Sequence, residues 1–247
     1  MIKFFRKIRQ KMLSENKFSK YLIYAIGEII LVVIGILIAL GVNNWNENRK
    51  LDKIRQSYYN KLIEDFQADK VYAENQIREM NSSIAEFENY VSYYNKPDLN
   101  LMEAFEAMKK NDWGVIVLEF KTSTIKSLLS TEDLNLIDPT LRDNLELYNS
   151  SKNLTLKNFN NLSNSARNIL ENVTMQGGIA ELLLRLENQQ QLKQDLEIAN
   201  RVPDIFIMTE AYFAFKISGY NGTIERLNNL ILNADHNIEF IQKKLNK

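Results

Sequence analysis

Few side chains in this 247-residue chain could do chemistry. It has no cysteine and a single histidine, His236. Without a thiol there is no cysteine nucleophile, disulfide, iron–sulfur cluster or thiolate zinc site. One histidine rules out multi-histidine metal sites and leaves one candidate base for a serine. His236 lies between Asp235 and Asn237 on a helical pattern, where a histidine reads as a surface residue. Asp133-Leu134-Asn135-Leu136-Ile137-Asp138 has some acid spacing of a calcium loop. However, Ile137 stands at a ligand position and no glycine follows. Gly177-Gly178 lacks the other glycines and the lysine of a phosphate loop. The expectation is a protein with no catalytic residues, metal or cofactor, and not an enzyme.

The remaining chemically unusual residue is Glu28, because of where it stands. Tyr21 to Val42 contains no other charge. As a helix this stretch is about 33 Å long, enough to cross a hydrocarbon core of roughly 30 Å. A carboxylate there is expensive unless protonated, paired or near water. Glu28, Val32, Gly35 and Ala39 share one helical face, and Gly35-x-x-x-Ala39 is a small-xxx-small pair that admits a close helix. This face is the candidate contact with a second span, either another copy or a membrane partner. The alternative is a monomeric anchor.

Residues 1–20 carry seven cations against one anion, Glu15. By the positive-inside rule this places the N-terminus in the cytoplasm and residues 43–247 outside. Removing those charges from the 31 of each sign leaves 24 Lys and Arg against 30 Asp and Glu. Arg49, Lys50, Lys53 and Arg55 near the exit weaken the asymmetry without reversing it. Ile2, Phe4, Phe5, Ile8, Met12 and Leu13 interleave with the cations, so the segment reads either as an amphipathic helix on the leaflet or as a solvated tail. The apolar run is longer than a signal-peptide core and is followed by Trp45, which favours an uncleaved signal anchor.

The run FFRKIRQKMLSENKFSKYLIYAIGEIILVVIGILIALGVNNWNE resembles the N-terminal signature of uncharacterised single-span membrane proteins of Gram-negative bacteria, a family known only as a domain of unknown function. A second block, IKSLLSTEDLNLIDPTLRDNLELY, is similar to a weaker motif of that family, which more often has glycine where Thr131-Glu132 stands here. The resemblance implies a membrane-anchored, mostly helical protein and brings no known activity, cofactor or catalytic residue.

Past the span, Asn43 to Asn95 has no proline or glycine. Leu51, Ile54, Tyr58, Leu62 and Phe66 begin an apolar stripe that drifts around Asp69 and Val71. Ala73, Ile77, Met80, Ile84, Phe87, Val91 and Tyr94 resume it in steps of four and three. That spacing predicts one long helix packed on later helices of the same chain, with an intermolecular coiled coil as the alternative. Lys96-Pro97-Asp98 ends it.

Leu99 to Lys110 predicts a short helix, and Val115 to Leu118 a buried linker or helix start. Thr122 to Leu129 predicts a helix capped by Thr122 or Ser123, and Asp138-Pro139 opens a long one. That helix carries Leu141, Leu145, Tyr148, Leu154, Leu156, Phe159, Leu162, Ile169 and Val173 on its stripe. Its asparagines at 149, 153, 158, 160, 161, 164, 168 and 172 read as a neutral solvated face. A helix over 179–200, another from Pro203, a turn at Gly219 to Gly222 and a last helix with Ile224, Leu227, Leu230, Ile231, Ala234, Ile238 and Ile241 complete the pattern.

The whole reads as all-α. Residues 1–20 form a basic cytoplasmic segment, 21–42 a transmembrane signal anchor, and 43–247 an extracytoplasmic, periplasmic helical bundle on a bacterial inner membrane. The acidic soluble part argues against nucleic acid. Its partners are expected to be the lipid bilayer and either a second copy or an envelope protein, bound as a scaffold or accessory module. The alternative function is a small-molecule-binding sensor domain that signals through a membrane partner.

Overall fold

The computed structural model describes residues 18–176, 182, 185, 186 and 188–246. About 86% of it is helical, with no strand among the described residues. The basic segment before Phe18 and the predicted Gly177-Gly178 break lie outside the described residues. Two compact units are present, Met1–Ser57 and Tyr58–Lys247.

Helix α1 (Phe18–Ser92) contributes to both units. In the first unit its leucine, isoleucine and valine side chains from Leu22 to Val42 are exposed, Ile23 and Leu31 by more than two thirds. In the second unit one face of α1 is core: Leu62, Phe66 and Met80 are fully buried, with Ala73 beside them. The packed stripe therefore starts at Tyr58 and Tyr59, whereas Leu51 and Ile54 are exposed. It also leaves the predicted register at its end. Tyr90 is buried in place of Val91 and Tyr94, because its ring joins Phe87 and Phe213 while its hydroxyl reaches Glu210. A 3-10 turn over Tyr93–Asn95 closes the helix. Lys96 is extended before Pro97, and Asp98 takes the left-handed conformation (φ 57°) that aspartate tolerates.

Helix α2 (Leu101–Met108) is held by a capping box between Asn100 and Glu103. Residues 112–123 then run without regular structure; Leu118 is buried and Ile116 and Phe120 are partly so, which makes the predicted linker. Helix α3 (Thr124–Leu129) starts with Ser123 at its N-cap position, one of the two residues expected there, but the Ser123 side chain makes no capping hydrogen bond. The Asp65 carboxylate on α1 accepts from the Thr124 N–H instead, at 2.9 Å. After a 3-10 turn (Glu132–Leu136), Asp138 caps α4 (Pro139–Met175) with proline at its first position.

Helix α5 (Gln190–Asp195) is short, and Glu197 in the left-handed region (φ 50°) separates it from α6 (Ile198–Leu245). The predicted helix over 179–200 is thus broken before Asn200. Pro203 lies inside α6, near enough to its start that only the bond toward Ala199 is lost.

A second correction concerns Gly219 to Gly222, which do not turn. Helix α6 runs straight through them. A β-carbon on Gly219 would meet Leu162 of α4 at 3.5 Å, an ordinary van der Waals contact, so the interface has room for an alanine there. Thr223 and Arg226 donate back to the carbonyls of Gly219 and Gly222, one turn earlier in the same helix.

Within the second unit α1, α4 and α6 form a three-helix bundle. Phe66 meets Tyr148 and Tyr90 meets the 166–213 cluster, so α1 and α4 run parallel. Phe159 stacks on Tyr220 and Lys244 pairs with Asp138, so α6 runs antiparallel to both. Fully buried Leu141, Leu145, Leu227, Leu230, Ala234 and Ile241 fill the centre. Leu154, expected on the stripe of its helix, is exposed, as is Phe215; buried positions on those helices go instead to Lys152, Thr155 and Lys216.

Candidate functional site

Along α1, polar side chains at Glu86, Ser83, Tyr72, Asp69, Asp65 and Tyr58 meet the connector in reverse order. Glu86 accepts from the Asp112 N–H at 3.0 Å, and Tyr72 takes the Glu119 N–H at 2.7 Å. Asp69 takes the Thr122 hydroxyl, and Asp65 the Thr124 N–H. Tyr58 donates to Asp133 at 2.6 Å. An extended segment has no ladder of its own for its N–H groups, so these side chains supply the partners that a sheet would. The segment after α2 is thereby pinned to α1 at Asp112, Glu119, Thr122, Thr124 and Asp133.

Two charge clusters anchor it, the first buried on both sides and the second joining buried Lys216 to an exposed Asp112. At the first, Asp69 is 3% exposed and accepts from Thr122 Oγ1 (2.7 Å), the Tyr148 hydroxyl (2.9 Å) and Lys152 Nζ (3.0 Å). Lys152, 6% exposed, also donates to Thr122 Oγ1 and lies over the Phe120 ring. Burial, together with the Asp69 charge, pushes the Tyr148 hydroxyl far above the usual phenol range, so it stays a donor.

At the second cluster, Lys216 donates to the Asp112 carbonyl (2.6 Å) and carboxylate (3.0 Å), and Ser83 donates to the same carboxylate oxygen. The other oxygen accepts from the Gly114 N–H at 2.8 Å. Desolvation alone would raise the Asp112 pKa. The Gly114 N–H, Lys216 and Ser83 outweigh it and hold the carboxyl below the usual range. Desolvation lowers the Lys216 pKa, with Asp112 opposing it. Beside this cluster the Tyr212 hydroxyl reaches the Trp113 carbonyl at 2.9 Å.

Each of these charges is occupied by partners of the same chain. The cleft beside Lys216, lined by Val115, Phe159, Leu162 and Tyr220, encloses about 10 Å³, room for one water at most. Small-molecule sites run to several hundred cubic ångströms. No group of three His, Cys, Asp or Glu side chains is placed to hold a metal among the described residues. The chemistry of these clusters is positional.

The calcium-like run is taken up in the same way: Asp133 receives Tyr58, while Asp138 caps α4 and pairs with Lys244 at 2.7 Å. His236 is exposed on α6, next to the Asp235 that pairs with Lys70. The sequence-predicted face falls in the first unit. Val32 and Ala39 are exposed, Glu28 is half-exposed, and a β-carbon on Gly35 would meet nothing within 4 Å. Glu28, Val32 and their neighbours Ala25, Ile29 and Val33 line a shallow groove on the helix surface.

Sequence reasoning missed both charge clusters, although a signal was present. Asp69 follows Leu62 and Phe66 at core spacing, Lys152 follows Leu145 and Tyr148, and Lys216 follows Tyr212 and Phe213. A charge on an apolar stripe points to a buried partner.

Residues 28–108 match the model of a family of unknown function (DUF6090). The match covers α1 from Glu28 onward and the whole of α2; the second block of resemblance, residues 125–148, lies beyond it. No curated protein and no solved structure matches the chain.

Proposed function

We propose that the chain is a single-span inner-membrane protein. Its N-terminus is cytoplasmic and its bundle periplasmic, and the bundle acts by binding another envelope protein or a second copy rather than by catalysis. The observation that carries this reading is the uncovered apolar surface of α1. The helix is long and apolar enough to cross a membrane, and none of its most apolar window is buried. A core helix of a soluble protein would be covered, so this surface calls for lipid or another span. The closed charge clusters support the interaction reading, because they spend the buried polar groups on holding the bundle together.

In-cell photocrosslinking tests the proposal, with the crosslinker at exposed Val71, Val91, Val117 and Leu147 and on the span at Val32 and Ala39. A recurring envelope partner or a self-adduct is expected. Adducts confined to lipid and solvent at every position would contradict it. Glu28→Leu and Gly35→Ile should both weaken an adduct formed through the span face. An unchanged adduct in both would remove that face from the account.

A further inference from the structure

We propose that the stretch of α1 just past the apolar span is a binding site for anionic phospholipid, formed by Trp45, Arg49, Lys50 and Lys53. The proposal rests on the reading that residues 21–42 lie in a bilayer.

At 100° per residue these side chains, with Asn46, occupy one side of the helix within an arc of about 140°. The two acids of the segment fall outside that arc. Glu47 lies on the far side, and Asp52 is engaged by Arg55 at 2.7 Å. All four residues of the site are exposed. A face with three cations and no free acid is complementary to the net negative charge of an anionic headgroup, not to the net-neutral surface of a zwitterionic bilayer.

Direction strengthens the assignment. Helical side chains lean toward the N-terminus of their own helix, which here is the side of the span. Arg49 follows that rule: its guanidinium lies over the Trp45 ring, 5.8 Å from the centroid, one turn back. By helical rise Trp45 stands about 4.5 Å past Val42, at interface depth, and Arg49 about 10 Å past it. Leaning back, Arg49 and Lys50 reach the headgroup layer, and Lys53 reaches its outer edge. The positive charge beyond the span, which runs against the topology signal, thus has a local use.

The test is fluorescence quenching of the full-length protein in vesicles of phosphatidylcholine with a minor fraction of phosphatidylglycerol. Headgroup composition is identical in two preparations. Bromine is carried on the acyl chains of the phosphatidylglycerol in one and of an equal amount of phosphatidylcholine in the other. Subtracting a Trp45→Phe variant removes the signal of Trp113, the second tryptophan. Brominated phosphatidylglycerol should quench Trp45 roughly twofold more than brominated phosphatidylcholine. The excess should vanish in Arg49→Gln/Lys50→Gln/Lys53→Gln and survive in Glu47→Gln/Asp52→Asn. Equal quenching by the two lipids would overturn the site while leaving the span in the bilayer. An excess that persists in the triple variant would overturn its assignment to these residues. No quenching by either lipid would overturn the site and the membrane reading together.

Discussion

Asp69 and Lys152 are each buried in an apolar interior and each satisfied by the other, so their energetics are asymmetric. Removing one leaves the other charged and unsolvated. Asp69→Ala or Lys152→Ala should destabilise the bundle by about 3–5 kcal/mol, measured by urea unfolding. Asp69→Leu combined with Lys152→Met should recover much of that loss; a double variant as unstable as the sum of the singles would refute the pairing. Asp112 and Asp138 make a pH-dependent contribution. Lys244 holds the Asp138 carboxyl below its ordinary 3.8, and the Gly114 N–H with Lys216 does so for Asp112. A depressed carboxylate stabilises fully above its unfolded pKa, and that stability is lost as pH falls through the folded value. Unfolding free energy should therefore be flat above about pH 5 and drop below pH 4. Asp138→Asn, which keeps a good N-cap, should make the drop shallower. At this scale the sequence was only half legible. The apolar stripes were readable because period alone reveals them, whereas the partners of Asp69 and Lys216 come from segments 83 and 104 residues away.

The elements followed local chemistry wherever the cause was local. Pro97 ended α1, Asp138-Pro139 began α4 and Asn100 began α2, each through atoms within a few residues. Helix α3 did not, because its cap is Asp65 of α1. Asp65→Ala should cost about 1 kcal/mol, while Ser123→Ala should cost almost nothing, by thermal unfolding. The glycines at 219 and 222 were misread as a turn because the packing of α6 on α4, which overrides their poor helix propensity, does not show in a local pattern. Within a straight helix, Gly219→Ala and Gly222→Ala gain helix propensity, and their new β-carbons meet Leu162 at 3.5 Å and the end of Arg226 at 3.4 Å. Each should be neutral or stabilise by up to about 1 kcal/mol. A strong loss in both would restore the turn. Gly219→Leu should destabilise, because Leu162 occupies the space its side chain needs.

At the scale of the molecule, composition divides the chain into two kinds of sequence. One is an apolar stretch with cations before it, the other a polar helical chain with repeated stripes. What composition could not give was the boundary of packing, which falls at Tyr58 because the stripe before it meets no partner within its own unit. The central claim is that the span separates a cytoplasmic N-terminus from a periplasmic bundle. The absence of native cysteine permits a direct measurement. Single variants Lys7→Cys and Leu147→Cys would be treated in cells with a permeabilised outer membrane, using a membrane-impermeant maleimide. The account predicts that the Leu147→Cys variant labels at once, that the Lys7→Cys variant labels only after the inner membrane is lysed, and that both stay with the membranes in carbonate. Labelling in the opposite order, or release of the protein into the supernatant, would contradict it.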